Sequence, residues 1–253
     1  GSTYSEPTVA QPTITVNNPS LRPWTADNFD VTLEAYNLKG AVASIGAFRK
    51  DISDFFGSTR TEATPALLDQ YGLSDDPLYL GYDLVTMSNV GDARITGVEF
   101  SYRQSLTFLP DWARGFQVFV NGSRMSLSGS AAAEFDGFNP STYAAGINYV
   151  RPRFFIKLSG TYQGETRRTL NAVSAANGIP AETYNYQDAR RRYSLAVQYS
   201  LTKHASLFGN VTDLGGGFNP TSLRYAPGTP EYAKISRYQE LGSTITVGIK
   251  GTF

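Results

Sequence analysis

The residue types that most often carry out chemistry are sparse in this chain, which has a single histidine and no cysteine. A metal centre or an acid–base pair needs partners at suitable spacing, and His204 has neither a second histidine nor a thiol to join it. The carboxylate pairs Asp51/Asp54 and Asp75/Asp76 are expected to be loop or turn residues. The sequence therefore predicts no catalytic residue, no metal ion and no cofactor.

Arginines and loop aromatics offer binding chemistry instead. A guanidinium group binds a phosphate or a carboxylate through two parallel hydrogen bonds. A tyrosine or phenylalanine in a loop can stack on a sugar or on a siderophore ring, or it can simply pack the loop. Five arginines flank one polar stretch, and three aromatics lie in a later loop that starts with three glycines: Arg167, Arg168, Arg190, Arg191 and Arg192, then Phe218, Tyr225 and Tyr232.

The elements that would position these side chains are β-strands. From residue 27 onward apolar and polar residues alternate with period two, as where Ile245, Val247 and Ile249 oppose Thr244 and Thr246. No run of 18 or more apolar residues is present, so no membrane-spanning helix is predicted. A membrane strand, however, needs only about ten residues with one apolar face.

Aromatic residues at the ends of the apolar rows point to a membrane. Such pairs match the two aromatic girdles of a membrane β-barrel. Alternation alone also fits a soluble β-sandwich, which would hide its apolar face and wet the other. Girdles and loop lengths together favour the barrel. The rows run from Tyr143 to Tyr149, from Phe154 to Tyr162 and from Tyr193 to Tyr199.

Connection lengths predict the topology and the orientation. Short periplasmic turns alternating with long external loops define an up-and-down meander. Short connections are predicted near 37–40, 151–152 and 201–204, and long ones at 51–83, 128–139, 166–187 and 213–237. Counting back from a periplasmic C-terminus makes the connection at 107–115 periplasmic as well. Nine antiparallel strands result, the third being broken or bulged near 89–92: 27–37, 41–50, 84–106, 115–127, 140–150, 153–165, 188–200, 204–212 and 238–253.

The odd strand count has a consequence for the arginines. Because single-chain bacterial barrels have even counts, nine strands predict a barrel fragment, with 1–26 the tail of an external loop and 27–253 a C-terminal barrel section. Alternation then places Arg168 and Arg191 on the lipid face, where they are expected to contact lipopolysaccharide phosphates. The other three arginines would face the lumen and attract an anionic ligand, or they would only add to the general polarity of the lumen.

Four segments resemble TonB-dependent outer-membrane receptors. The run NPSLRPWTADNFD at 18–30 resembles the start of a late barrel strand in that family, and FRKDISDF at 48–55 resembles the ascending strand that follows. NVGDARITGVE at 89–99 and NVTDL at 210–214 resemble two further strands in the family's order. The terminal Phe253 resembles the aromatic by which such barrels are recognised by the barrel-assembly machinery.

This resemblance implies a 22-stranded barrel with an N-terminal plug and a box that binds TonB, neither of which is found in the chain. It also implies import of a scarce nutrient, either an oligosaccharide or a ferric siderophore, and contact with outer-membrane lipid. Zero net charge gives no indication of a nucleic-acid partner. Two alternatives remain open at this point: a small outer-membrane barrel hydrolase and a soluble β-sandwich binding module.

Overall fold

The computed structural model describes residues 13–73, 79–130, 135–171, 178–180, 182–215 and 221–251. Almost all of its regular structure is β-strand. The elements are β1 Thr13–Val16, β2 Thr25–Leu38, β3 Ala41–Glu62, α1 Pro65–Gln70, β4 Asp83–Ser105, β5 Phe116–Ser128, β6 Ser141–Arg151, β7 Phe154–Gln163, β8 Thr166–Leu170, β9 Tyr184–Gln187, β10 Arg190–Ser200, β11 Ala205–Thr212, β12 Ser222–Tyr225, α2 Glu231–Lys234, β13 Ile235–Arg237 and β14 Thr244–Gly251.

Nine strands form one continuous wall, in the order β14-β11-β10-β7-β6-β5-β4-β3-β2. Consecutive wall strands such as β6 and β7 pair antiparallel, and the path is open across the described residues, since its end strands β14 and β2 are not neighbours in it. The prediction of nine antiparallel strands is therefore confirmed. Short turns alternate with long connections along the wall, as the pattern of loop lengths predicts.

The upper part of the β3–β4 hairpin differs from the prediction. We expected the strand that starts at residue 41 to end at 50, which is wrong, because β3 continues to Glu62. Asp54 lies within it at a φ of 57°, and such a residue interrupts the period-two pattern although backbone pairing continues. The long strand predicted at 84–106 is confirmed as β4, in which Gly91 has a φ of 132° at the expected irregularity.

The chain divides into two compact units. Described residues 13–27, 51–73, 79–94 and 128–130 form the first. It contains a small core in which Ala63, Leu68 and Leu84 are buried against partly buried side chains such as Ile14 and Val16. Strand β1 belongs to this unit and pairs parallel with the first residues of β4. Residues predicted to be a loop tail therefore include a short paired strand.

The second unit, residues 28–50, 95–127 and the described part of 135–251, carries most of the wall. Its register places one apolar residue from each neighbouring strand side by side, for example Ile147 beside Leu158 and Leu158 beside Leu195. Large apolar side chains on this face are exposed, with Val247 at 77% and Ile249 at 74%. An exposed apolar face that continues across neighbouring strands is unfavourable in water. It fits contact with lipid.

The predicted long connections at 166–187 and 213–237 also hold structure of their own. Strands β8, β9, β12 and β13 from these two connections pair into a second, four-stranded sheet in the order β13-β12-β9-β8. Among the described residues, no helix is long and apolar enough to cross a membrane.

Candidate ligand-binding surfaces

The polar face of the wall contains a concavity of about 600 Å³. Alternation puts its polar lining residues opposite the apolar rows, so that one sheet has an apolar and a hydrophilic side. Hydroxyl and amide side chains dominate the lining, together with one acidic and two basic residues. The polar residues that line it include Thr32, Ser44, Glu99, Ser101, Asn121, Ser123, Thr142, Thr161, Gln163, Arg190 and Arg192.

The two arginines of this concavity are held by neighbouring strands. The Nε of Arg190 donates a 2.7 Å hydrogen bond to the side-chain oxygen of Gln163. Arg192 binds both carboxylate oxygens of Asp213, at 2.7 and 2.9 Å, and the side chain of Asp213 is only 8% exposed. A bidentate pair of this kind positions the guanidinium and offsets much of its charge. Arg192 therefore contributes less positive potential to the concavity than its charge alone implies.

The second sheet carries a cluster of tyrosines and cations. The rings of Tyr186 and Tyr225 stack with their centroids 4.0 Å apart. The guanidinium of Arg167 lies 5.0 Å from the ring centre of Tyr184, and the ammonium of Lys234 lies 4.7 Å from that of Tyr225. Cations over ring faces at these distances are attracted by the ring quadrupole. We call these five residues the tyrosine–cation cluster.

Two hydroxyls of the cluster, those of Tyr186 and Tyr225, stay protonated at neutral pH. Tyr225 donates a 2.6 Å hydrogen bond to the carboxylate of Glu165. Burial raises the pKa of Tyr225, and the hydrogen bond to Glu165 raises it further. Burial also raises the pKa of Tyr186. Both side chains are therefore neutral phenols at neutral pH, suited to stacking and hydrogen bonding.

The structure separates the predicted ligand-binding residues into two groups. Arg167 and Tyr225 belong to the tyrosine–cation cluster, whereas Arg190 and Arg192 line the wall concavity. Tyr232 is 87% exposed on the short helix α2, and Phe218 lies outside the described residues. Sequence reasoning missed Tyr184, Tyr186, Lys234, Glu165 and Asp213; the alternation Tyr-Asn-Tyr at 184–186 was the available signal for the first two.

The residues expected to face lipid also have different surroundings. Arg191 pairs in register with Tyr162 and lies 5.7 Å from its ring centre, on the apolar face of the wall. Arg168 instead lies in β8 of the second sheet, 3.8 Å from the carboxylate of Asp136. The terminal Phe253 lies outside the described residues. Contact with lipopolysaccharide stays a prediction for both arginines.

Three of the residues considered for catalysis form structural contacts. His204 lies in the turn between β10 and β11, where its backbone N–H donates a 3.1 Å hydrogen bond to the Thr202 hydroxyl. Asp51 forms an ion pair with Arg94, and Asp54 forms one with Arg22, each at 2.5 Å. Asp75 and Asp76 lie outside the described residues. Within the described ranges no group of three or more His, Asp or Glu side chains could hold a metal ion.

Comparisons with known proteins give one family and a set of similar folds. A family model described as TonB dependent receptor-like, beta-barrel matches residues 1–214. Comparison with curated proteins gives no match.

Three solved structures illustrate the similar folds. A mutant of the ferric enterobactin receptor PfeA from Pseudomonas aeruginosa, in complex with enterobactin, is 16% identical with a TM-score of 0.63, covering 95% of this chain and 33% of that one. The siderophore receptor PirA from Pseudomonas aeruginosa is 15% identical with a TM-score of 0.55, covering 94% and 32%. The copper transporter OprC is 15% identical with a TM-score of 0.59, covering 93% and 32%. The chain thus spans about a third of each structure that it resembles.

Proposed function

The chain belongs to the family of TonB-dependent receptor-like β-barrels, which lie in the outer membrane of Gram-negative bacteria, and from this premise we propose that it forms wall and external loops of a receptor that imports a scarce nutrient. We propose that import draws its energy from TonB through parts of the receptor outside this chain, and that the chain catalyses no reaction. The barrel-assembly machinery would recognise its terminal Phe253, and outer-membrane lipid would surround its apolar face.

The observation that carries this proposal is the asymmetry of the wall. One face presents aligned apolar rows, such as Ile147 beside Leu158, at the lipid boundary. The opposite face carries the polar concavity with Glu99 and Arg190. A transport wall needs both properties in the same strands, since its outside contacts hydrocarbon and its inside contacts a hydrated solute. A soluble β-sandwich does not account for this combination. An outer-membrane barrel hydrolase would share it but would need an acid–histidine site at the external rim, whereas His204 lies in the short turn between β10 and β11.

We propose a ferric siderophore as the ligand class, on the chemistry of the tyrosine–cation cluster. Arg167 would attract an anionic complex, Lys234 would contribute less because it forms an ion pair with Glu231, and the tyrosine edges would contact the aromatic or aliphatic chelating groups of the complex. The cluster would hold the complete chelate and leave iron to the siderophore, because the Tyr225 hydroxyl already donates to Glu165 and the rings of Tyr186 and Tyr225 stack on each other. The proteins with similar folds described above are a ferric enterobactin receptor, a siderophore receptor and a copper transporter.

An oligosaccharide is the second candidate, favoured by a different observation. Most polar side chains that line the wall concavity are hydroxyls or amides, such as Ser101, Asn121 and Thr161. These groups donate to and accept from sugar hydroxyls without requiring a charged solute. The exposed ring of Tyr232 could stack on a sugar face.

The experiment uses the full-length receptor in detergent micelles and two probes, ferric enterobactin and maltoheptaose, with affinities measured by isothermal titration calorimetry. We expect the ferric probe to bind and the double variant Arg167→Ala/Lys234→Ala to weaken it by about tenfold or more. Arg237→Ala is the matched control. Arg237 is an exposed residue of β13, and its substitution removes a cation from the same sheet but outside the cluster. Binding of maltoheptaose alone would replace the siderophore by an oligosaccharide. Import of the bound probe should stop in cells that lack TonB.

A further inference from the structure

The apolar face of the wall has a depression. It lies where strands β6, β7 and β10 adjoin the long connections. Two adjoining concavities there, of about 450 and 590 Å³, share Ala145, Gly160 and Tyr193. Ala145 is the register partner of Gly160, and Gly160 is the partner of Tyr193. Two neighbouring positions without a bulky side chain therefore leave a groove, and the ring of Tyr193 borders it. We call this feature the lipid-face groove.

A cation stands at one end of the lipid-face groove. Tyr143 and Tyr162 are register partners whose rings lie 5.9 Å apart. Arg191 pairs with Tyr162 in turn, and its guanidinium lies 5.7 Å from that ring centre. Within the described part of the chain, no carboxylate forms an ion pair with Arg191. Its neighbour Arg192 points to the other face and pairs with Asp213. The groove therefore has a positively charged head.

The opposite end of the groove is apolar. Ile147 and Leu158 are register partners that line its floor, and Leu214 is a further lining residue. From Tyr162 to Leu158 the strand advances four residues, or about 13 Å at the ordinary strand rise. A slot of this length with a cation at its head matches a hydrocarbon chain that carries an anionic head group.

We propose that this groove binds one acyl chain of lipopolysaccharide while Arg191 binds a phosphate of its lipid A. The guanidinium can offer two parallel hydrogen bonds to the phosphate, and the ring of Tyr162 beside it attracts the cation to the head of the groove. The cationic end adjoins the long connections, which in an up-and-down barrel face the outside, where the outer leaflet holds lipopolysaccharide. The proposal rests on the outer-membrane location and is independent of which nutrient is imported.

The test is a lipid titration of the full-length receptor in detergent micelles, followed by native mass spectrometry. Purified lipid A is the probe, and phosphatidylglycerol and phosphatidylethanolamine are the competitors. Arg191→Ala should weaken lipid A binding by about tenfold or more, since it removes the charge-assisted contact. Ala145→Leu should also weaken it, because the larger side chain fills the groove without changing any charge. Arg191→Lys should recover part of the affinity.

Arg151→Ala is the matched control. Arg151 also lies over a tyrosine, 5.5 Å from the ring centre of Tyr149, but near the short-turn end of the strands. Its loss should leave lipid A binding unchanged. Heat-dependent gel mobility confirms that each variant is folded. Wild-type affinity in both Arg191→Ala and Ala145→Leu would overturn the proposal, as would an equal loss in Arg151→Ala. Equal competition by phosphatidylglycerol would overturn the choice of lipopolysaccharide.

Discussion

The side-chain amide of Asn89 donates a 2.6 Å hydrogen bond to the backbone carbonyl of Asp54, where the Asp54 backbone has a φ of 57°. Asn89 also donates to the carbonyl of Arg22 at 2.9 Å and accepts from the Arg22 N–H at 3.1 Å. Arg22 forms a 2.5 Å ion pair with Asp54, whose own N–H donates to Asp92 at 3.1 Å. Three segments that resemble the receptor family in sequence thus meet in one polar cluster of the first unit.

This cluster predicts the effect of Asn89→Ala. The substitution removes three hydrogen bonds and leaves backbone groups of Arg22 and Asp54 without these partners. We expect residues 13–24 to exchange their amide hydrogens about tenfold faster or more, because the segment is released from the β3–β4 hairpin. Hydrogen–deuterium exchange of the full-length receptor measures this. Asn185→Ala, which removes hydrogen bonds in the second sheet, is the control. Unchanged exchange over 13–24 in Asn89→Ala would contradict the prediction.

The wall could be predicted from the sequence because the alternation of apolar and polar residues that forms it is local and repeats in every strand. Period-two alternation puts residues such as Val197 on one face whatever their partner is, and the aromatic ends Tyr193 and Tyr199 delimit the apolar band. Alternation of short and long connections then orders the strands. The nine strands needed no tertiary information beyond this pattern.

The second sheet and the tyrosine–cation cluster could not be predicted in the same way. Strands β9 and β12 have four residues each, too few for a periodic signal. Tyr186 and Tyr225 are 39 positions apart, and they stack only because two long connections pair with each other. The sequence places Asp213 at a strand end, and nothing in the sequence indicates that it binds Arg192. Such contacts depend on tertiary structure that a single sequence does not reveal.

The tyrosine–cation cluster predicts a pH dependence at alkaline pH. Burial first, and then Glu165, raise the pKa of Tyr225 above its ordinary value of about 10. Above pH 10 the unfolded chain therefore loses this proton before the folded chain does. The stabilisation is complete below about pH 10 and is lost as the pH rises through the folded pKa. Phenolate absorbance should show Tyr225 ionising later than exposed tyrosines.

The variant Tyr225→Phe tests this dependence. It removes the hydroxyl and leaves Glu165 without its 2.6 Å hydrogen bond, so the second sheet should be less stable at neutral pH and should lose part of its alkaline sensitivity. Tyr232→Phe is the matched control, because Tyr232 is 87% exposed. Equal alkaline sensitivity in the wild type and in Tyr225→Phe would show that Tyr225 is not the titrating group.

The Arg192–Asp213 pair predicts the effect of Asp213→Asn. Asparagine tolerates the φ of 57° at this position, so the substitution changes the charge and leaves the backbone unstrained. We expect a loss of about 1–2 kcal/mol in the free energy of unfolding, since the guanidinium remains partly in water. Urea titration of the full-length receptor in micelles measures it. Asp136→Asn is the comparison, because Asp136 pairs with Arg168 at 3.8 Å and both side chains are about half exposed. It should change the free energy of unfolding much less. A larger effect at Asp136 would contradict this ranking.

Two glycines of the wall should respond differently to the same substitution. A β-carbon on Gly146 would lie 2.5 Å from the Phe119 ring and 2.7 Å from the Leu158 carbonyl oxygen, and that oxygen belongs to the paired backbone. Gly146→Ala should therefore lower the free energy of unfolding by about 1–3 kcal/mol through overpacking. A β-carbon on Gly209 would have its nearest neighbour in Val247 at 3.8 Å, an ordinary contact, so Gly209→Ala should be neutral or slightly stabilising. The urea midpoints of the two variants, measured side by side in micelles, show which substitution destabilises the wall. An equal shift in both would mean that loss of strand glycine, and not the Phe119 contact, controls stability here.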